Sequence, residues 1–270
     1  MSNPQELIEK AERFLKQQQE MYGNFSVKLQ TTEQNSASQE PESGENNRTS
    51  LAEDPSESYT ATDEDQESVQ PEPKKELSKA EKIANCQSLN ELKVLCEETE
   101  DLKTDLEGTN LVFGVGNPDA DIMVIGEAPG FNEDKQGEPF VGEAGQLLDK
   151  IMAAINFSRD EIYIANILKH RPPNNRDPKA EESASSLPYL LRQIELVDPK
   201  LILCVGKISA TTLLNEDTSL GRLRNNFHKF HGRELLATYH PAALLRYPKY
   251  KRPTWEDVQM LRKRYDELVS

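Results

Sequence analysis

The sequence predicts a single α/β domain built around a largely parallel sheet, and two patterns support this fold class. Four short apolar runs have the length and residue types of buried strands, at 122–125, 162–168, 201–205 and 234–238. Segments with helical periodicity separate these runs, at 144–156, 179–197 and 207–215. Strands that alternate with helices in this way form mainly parallel sheets.

The first apolar run, Ile122–Ile125, has the character of a central strand because it is rich in β-branched residues and lies between Asp121 and Gly126. The next residue, Glu127, sits on a glycine- and proline-rich turn at the carboxyl end of this strand. Ligands of open α/β sheets bind at this edge. A lone turn of this kind more often only connects a strand to a helix, so the prediction of a site depends on the segments that follow.

The segment after the turn has the composition of a pocket wall. Three glycines bracket one large aromatic residue, Phe140, before the next helical pattern begins; they are Gly137, Gly142 and Gly145. A long loop punctuated by glycine can place an aromatic ring against the end of a sheet.

The other predicted strands also end in polar residues. Asn166 lies near the end of the second strand, and His240 follows the last one. Taken singly, each is more often a structural residue than a functional one. Because the carboxyl ends of parallel strands meet at one edge, we expect Glu127, Asn166 and His240 to converge beside Phe140. An amide, an imidazole and an aromatic face suit a planar heterocycle with donor and acceptor edges.

Charge divides the chain into two parts. The formal net charge is −15, and residues 1–80 hold 17 acidic and 8 basic residues with few large apolar ones after residue 30. Such a composition cannot offset the entropy of ordering, so we predict a largely disordered acidic extension over 1–80 with a short helix at 4–22. The folded domain is predicted over 81–270.

Two further features narrow the class of protein. Three widely spaced cysteines (Cys86, Cys96 and Cys204) do not form a disulfide framework, which favours a reducing compartment, and no apolar run is long enough to span a membrane. Residues 220–252 carry eight basic side chains against the single acid Glu234, a local reversal of charge that fits a phosphate-contacting face.

The motifs resemble those of the fourth family of uracil-DNA glycosylases. The matching segments are Gly126-Glu-Ala-Pro-Gly130, Pro139-Phe-Val-Gly142, Asn166 with Lys169-x-Arg-Pro172, Asn175-Arg-Asp-Pro178 and His240-Pro-Ala-Ala-Leu-Leu245. The resemblance covers about 95–265. It implies a three-layer α/β/α fold with a mostly parallel four-stranded sheet. It also implies an enzyme that flips uracil out of DNA and hydrolyses the N-glycosidic bond, which starts base excision repair.

The same resemblance implies roles for the site residues. Phe140 stacks on the flipped base, Asn166 reads its amide edge beside Gly126, and His240 donates to the uracil O2 as negative charge develops there. Glu127 and Glu133 are the candidates for placing water and stabilising the cationic sugar, because Ala128 stands where the first family has its water-activating aspartate.

Contacts to DNA are also implied by the resemblance. Arg171 and Arg176 contact the backbone, and Leu244, Leu245 and Arg246 form a wedge that fills the gap left by the flipped nucleotide. Uracil in single- or double-stranded DNA is then the substrate. We expect a monomer in the cytoplasm, associated with the nucleoid.

The chain departs from the family at one feature. Family members usually hold a [4Fe-4S] cluster through four cysteines, and those positions read Cys96, Thr99, His170 and Ser186 here. One thiolate cannot hold a cluster that four normally bind. We therefore predict no cluster and no other metal or cofactor.

Two alternatives remain open. The chain could belong to a sister family that excises other deaminated bases, although Glu127 argues against the fifth family. It could also be a non-catalytic DNA-binding relative, which the complete set of Glu127, Phe140, Asn166 and His240 argues against.

Overall fold

The computed structural model describes residues 77–270. The predicted helix at 4–22 and nearly all of the predicted extension over 1–80 lie outside the described residues. The first described helix begins at Lys79, two residues before the predicted start of the folded domain.

The sheet has six strands in the order β1-β3-β2-β4-β6-β5. Their bounds are β1 Val115–Gly116, β2 Ile122–Gly126, β3 Tyr163–Asn166, β4 Leu201–Val205, β5 Phe227–Phe230 and β6 Arg233–Thr238. The four inner strands are parallel, as predicted, and both edge strands are antiparallel. The prediction of four strands was wrong, because β1 and β5 are short, incompletely buried edge strands without a continuous apolar run.

Nine α-helices flank or extend the sheet in the described part of the chain. They are α1 Lys79–Asn85, α2 Leu89–Glu98, α3 Phe131–Gln136, α4 Glu143–Ala153, α5 Ala180–Val197, α6 Lys207–Leu214, α7 Leu220–Leu223, α8 Pro241–Arg246 and α9 Lys251–Val269. Ser78 caps α1 through a reciprocal capping box with Glu81, and Ser88 caps α2. None of the helices between residues 77 and 270 is long and apolar enough to cross a membrane.

The side chains of β2 show that the sheet lies between two layers of helices. Met123 and Ile125 join a core cluster with residues of α5 and α6, whereas Ile122 and Val124 join a second cluster with residues of α4 and α9. Because successive residues of a strand point to opposite faces, these two clusters occupy the two faces of one sheet. The three-layer α/β/α architecture is therefore confirmed.

A third, smaller core cluster packs α1 and α2 against the main domain. It includes Leu92 and Cys96 of α2 together with Tyr189 of α5 and Phe113, which precedes β1. Cys96 thus lies in a packed apolar environment.

The register of the parallel strands aligns their carboxyl ends. Gly126, the last residue of β2, is the partner of Asn166, the last residue of β3. On the other side of the sheet, Val205 at the end of β4 is the partner of Thr238 at the end of β6. The residues that follow β2, β3 and β6 consequently meet at one edge.

Candidate active site

A cavity of about 600 Å³ opens at this carboxyl edge. It brings together five of the side chains that the sequence analysis singled out, namely Glu127, Glu133, Phe140, Asn166 and His240. Their convergence follows from the strand register, because each residue lies on or just beyond the end of an inner strand or on the loop that follows β2.

Gly126, which directly precedes the cavity residue Glu127, has no room for a side chain. A Cβ atom built on this residue would lie 2.4 Å from Asn166 Oδ1 and 2.6 Å from Phe140 Cζ. Glycine therefore lets the amide of Asn166 and the ring of Phe140 approach the same point of the backbone.

Phe140 is 6% exposed and has a φ of 54°, a left-handed conformation that is strained for a bulky aromatic residue. The loop is held in this conformation from two sides. Glu133 Oε1 accepts hydrogen bonds from the amides of Val141 (3.0 Å) and Gly142 (2.9 Å). On the other side, Arg159 donates to the carbonyls of Pro139 (2.6 Å) and Phe140 (3.2 Å).

Glu133 has a structural role as well as a place in the cavity wall. One carboxylate oxygen of Glu133 is bonded to the loop that carries Phe140, so the residue shapes the cavity wall as well as lining it. Arg159 was missed by the sequence analysis. Nothing in its local sequence distinguishes it from an ordinary surface arginine, because its carbonyl partners lie about 20 residues earlier in the chain.

Asn166 lines the cavity and carries an unpaired acceptor. The residue is 2% exposed, and within the described part of the chain its Oδ1 atom is buried without a hydrogen-bond partner. A buried polar atom left unpaired costs about 1–3 kcal/mol. A bound molecule that donates a hydrogen bond at this position would recover that cost.

His240 is held as a neutral donor. Its Nδ1 atom accepts a hydrogen bond from the amide of Ala242 at 3.2 Å, as the N-cap of α8, which leaves the proton on Nε2. Burial, and then the positive charge of Arg246, lower the pKa of the imidazole to about 4. The ring lies 5.5 Å from that of Phe140, so the donor and the aromatic face belong to one cavity.

Glu127 is the titratable carboxyl at the end of β2. Burial, and then the negative charge of Asp177, raise its pKa to about 7. A carboxyl group tuned to neutral pH within a cleft is typical of catalytic sites.

The predicted wedge residues differ in exposure. Leu245 is 46% exposed, whereas Leu244 is 2% exposed and does not reach the surface. The prediction that both leucines contact DNA is therefore narrowed to Leu245. Arg246, the next residue, lines the cavity.

The two predicted arginines of the loop after β3 have different surroundings. Arg176 forms a bidentate ion pair with Glu182 and also contacts Asp105. Its positive charge is therefore already paired with carboxylates of the protein. Arg171 donates to Asn175 at 2.7 Å, and its guanidinium lies 5.1 Å from the centre of the Phe131 ring. Phe131 is 59% exposed and lines the cavity.

The four positions of the family cluster are occupied by side chains that are paired or packed. The hydroxyl of Thr99 accepts from Tyr189, the hydroxyl of Ser186 donates to the carbonyl of Ile167 at 2.7 Å, and His170 Nδ1 lies 3.0 Å from the hydroxyl of Thr109. Burial raises the pKa of the Cys96 thiol to about 12, which opposes the thiolate form that binds iron. These residues do not fit a [4Fe-4S] cluster. More generally, no three potential metal-ligating side chains gather anywhere in residues 77–270.

A buried lysine, Lys169, holds the segment that follows β3. Lys169 is 0% exposed and donates to the carbonyls of Phe113 (3.2 Å) and Asn166 (3.0 Å) and to the side chain of Gln193. It thereby ties the end of β3 to α5. In the sequence, Lys169 stands out only as part of a motif, because nothing around this basic residue indicates that it is buried.

Comparison with known proteins identifies the family. A family model described as the uracil DNA glycosylase superfamily matches residues 113–260. The chain belongs to this superfamily. Three curated relatives are each named type-4 uracil-DNA glycosylase. That of Archaeoglobus fulgidus is 44% identical over 53% of this chain and 76% of its own length. Those of Saccharolobus solfataricus and Sulfurisphaera tokodaii are 43% and 42% identical, each over 57% of this chain and over 75% and 74% of their own lengths.

These similarities confirm the resemblance to the fourth family that the motifs indicated. The region matched by the superfamily model contains every residue that lines the cavity, from Glu127 to Arg246. Cys96 and Thr99 precede that region, whereas His170 and Ser186 lie within it. This type-4 member thus combines a cavity at the carboxyl ends of its strands with cluster positions that do not suit iron.

Proposed function

We propose that the protein is a uracil-DNA glycosylase that hydrolyses the bond between uracil and deoxyribose and so begins base excision repair. The main observation in support of this proposal is that one cavity contains both the Asn166 amide oxygen, which has no hydrogen-bond partner, and the neutral His240 donor. The Phe140 ring lies beside His240. Membership of the type-4 family supports the same activity.

Recognition of uracil follows from its hydrogen-bonding edge. Uracil carries a donor at N3 and an acceptor at O4, so Asn166 Oδ1 accepts from N3 and the amide nitrogen donates to O4. Cytosine has an acceptor at N3 and an amino group at C4, and neither matches. Stacking of the base on Phe140, next to the backbone of Gly126, fixes the plane in which these contacts form.

The reaction breaks the bond between C1′ of the sugar and N1 of the base. The bonding electron pair leaves with uracil, and the developing charge on O2 accepts a hydrogen bond from His240 Nε2. Because the imidazole is neutral, it stabilises the departing anion by a hydrogen bond without first transferring a proton.

The sugar acquires positive charge as the base departs, and water then adds to C1′ and loses a proton. We assign the ionised Glu127 carboxylate to orienting this water and stabilising the sugar cation. Glu133 contributes by holding the Phe140 loop, and its negative charge adds to the field that favours the cation.

Contacts with DNA are assigned to the exposed residues around the cavity. Leu245 is the wedge that fills the space left by the flipped nucleotide, and Arg246 and Arg171 contact the backbone. Arg176, already paired with Glu182, is assigned to holding its loop. We infer a monomer that accepts single- or double-stranded DNA. The three cysteines, all free and buried, support a reducing compartment such as the cytoplasm, where the nucleoid supplies the substrate.

We also infer that this chain works without a [4Fe-4S] cluster. The loop that precedes α5 is instead tied down by the Arg176–Glu182 ion pair, by Lys169 and by Ser186.

Alkali cleavage of a labelled oligonucleotide with one U:G pair tests the proposed activity directly. Incubation with the purified protein should yield a break at the uracil position, and His240→Ala should yield far less. A parallel panel with hypoxanthine and with thymine opposite guanine tests the sister-family alternative. Binding of uracil-containing DNA without any cleavage would overturn the proposal in favour of a non-catalytic protein.

A further inference from the structure

Three tyrosines form a cluster beside α8, with Tyr239 preceding this helix and Tyr247 and Tyr250 following it. Tyr239 and Tyr250 stack with their ring centres 4.2 Å apart and their planes 20° apart. Tyr247 meets Tyr250 edge to face at 5.9 Å and is 54% exposed. One ring of the cluster is therefore presented to solvent on a support of two others.

The support of this cluster is rigid. The guanidinium of Arg224 lies 4.4 Å from the centre of the Tyr239 ring, and Arg224 is itself ion-paired with the fully buried Asp257 at 2.7 Å. A chain of packed groups thus runs from the buried ion pair to the exposed ring. An aromatic ring held in place in this way loses little conformational freedom when a ligand stacks on it.

The surroundings of Tyr247 favour an anionic ligand. Arg246 precedes it, and Lys249, which lies 5.2 Å from the Tyr250 ring, is followed by Lys251 and by Arg252, which is paired with Glu256. No acidic residue occurs between positions 246 and 252, in a chain whose formal net charge is −15. An exposed ring beside several cations matches the base and the phosphates of a nucleic acid strand.

The position of Tyr247 relative to the cavity points to a particular nucleotide. Arg246 lines the cavity, and adjacent Cα atoms are about 3.8 Å apart, so the backbone of Tyr247 lies one residue beyond the cavity wall. Leu245, the exposed wedge residue, lies on the same short segment.

We infer that Tyr247 is a stacking platform for an unpaired DNA base next to the flipped uridine, and that it favours single-stranded substrate. This inference rests on the proposed glycosylase activity and adds to it a second base-binding site, with the phosphates of that strand near Lys249. In duplex DNA the neighbouring base is already stacked and paired, so the platform contributes less there.

Steady-state excision by Tyr247→Ala and Tyr247→Phe tests the inference, with a single-stranded uracil oligonucleotide and its duplex form as substrates. We expect Tyr247→Ala to raise KM for the single strand about tenfold, which is within the usual range for loss of one stacked base, and to raise KM for the duplex less than about twofold. Tyr247→Phe keeps the ring and should stay within about twofold of the unsubstituted protein on both substrates. A matched control is Lys263→Ala, an exposed lysine near Tyr265, whose hydroxyl contacts Asp121 at the opposite end of the sheet.

Three results would overturn the platform. The first is an unchanged KM in Tyr247→Ala, the second is an equal rise in Tyr247→Phe, and the third is an equal rise on single-stranded and duplex substrates. Each of them requires the unsubstituted protein to excise uracil. An inactive unsubstituted protein would instead contradict the proposed function, so the two failures are distinct.

Discussion

Two buried polar regions lie on either side of Asn166, and they differ in how their polar atoms are paired. Around Lys169, Ser186 and His170, the donors and acceptors meet partners within the protein. In the cavity, the side-chain oxygen of Asn166 is unpaired and Phe140 is strained. The pKa of Glu127 is raised and the pKa of His240 is lowered, and both shifts favour the neutral form of the side chain.

The difference separates a region that supports the fold from one that acts on a ligand. Buried polar groups that are fully paired stabilise one conformation, whereas unpaired groups at the edge of a sheet retain interactions for a bound molecule. The main-chain carbonyl of Asn166 belongs to the first region and its side chain to the second. Substitutions in the two regions should therefore affect different properties.

The largest effect on catalysis is expected for His240→Ala. Loss of the donor to the leaving group should lower the single-turnover rate of uracil excision about 10²- to 10³-fold, with a small change in thermal stability. His231→Asn, at the exposed turn between β5 and β6, is the matched control and should retain the rate. A loss of less than about fivefold in His240→Ala would contradict the assignment of His240.

The largest effect on stability is expected for Lys169→Met. The substitution removes three hydrogen bonds to buried acceptors, of which only the Phe113 carbonyl keeps another donor, Gln193, so the free energy of unfolding should fall by about 3 kcal/mol in urea denaturation. Lys93→Met, at an exposed position of α2, is the control and should fall by less than about 0.5 kcal/mol. Equal losses of unfolding free energy in the two variants would show that the contacts of Lys169 contribute no more to stability than an exposed lysine does.

A pair of substitutions at Glu133 sharpens the comparison, because this residue lines the cavity and also holds a loop. Glutamine keeps an oxygen that accepts from Val141 and Gly142, so Glu133→Gln should lose less than about threefold in kcat. Glu133→Ala should lose about tenfold because the Phe140 loop is released. Equal, large losses in both variants would show that the charge of Glu133 takes part in the reaction directly.

A smaller effect is expected from pH. If excision needs the Glu127 carboxylate, kcat should rise with pH through a midpoint near 7, and Glu127→Gln should remove this dependence. His240, with a pKa of about 4, stays neutral throughout that range. A kcat that stays constant between pH 6 and 8 would contradict the role of Glu127.

The thermal stability of the folded protein should also change as the Glu127 carboxyl titrates. The raised pKa of Glu127 favours the folded state at low pH, and that contribution is lost as pH rises through about 7. The Glu127→Gln variant should therefore gain thermal stability relative to the unsubstituted protein above pH 7, measured at pH 5 and pH 8.

A substitution at Asn166 tests how the protein distinguishes uracil from cytosine. Asn166→Asp can donate from a protonated carboxyl group to the cytosine N3 atom, so we expect slower excision of uracil and detectable excision of cytosine. Activity that stays confined to uracil would count against Asn166 as the residue that reads the base.

The sequence was sufficient to predict the inner strands and the cavity residues, because a parallel strand buried on both faces leaves a continuous apolar run and its polar end is then conspicuous. It did not predict β1 and β5, which lack such runs. It also missed the roles of Arg159 and Lys169, since both depend on partners far away in the chain. The burial of Leu244 beside the exposed Leu245 depends likewise on how α8 packs.

We propose that the cavity excises uracil while the positions of the family cluster serve only packing and hydrogen bonding in this protein. The most direct test measures iron content and uracil excision on one preparation of the full chain, before and after treatment with an iron chelator. We predict no stoichiometric iron and an unchanged excision rate. Stoichiometric iron, or excision that disappears with the chelator and returns with iron and sulfide, would contradict the claim.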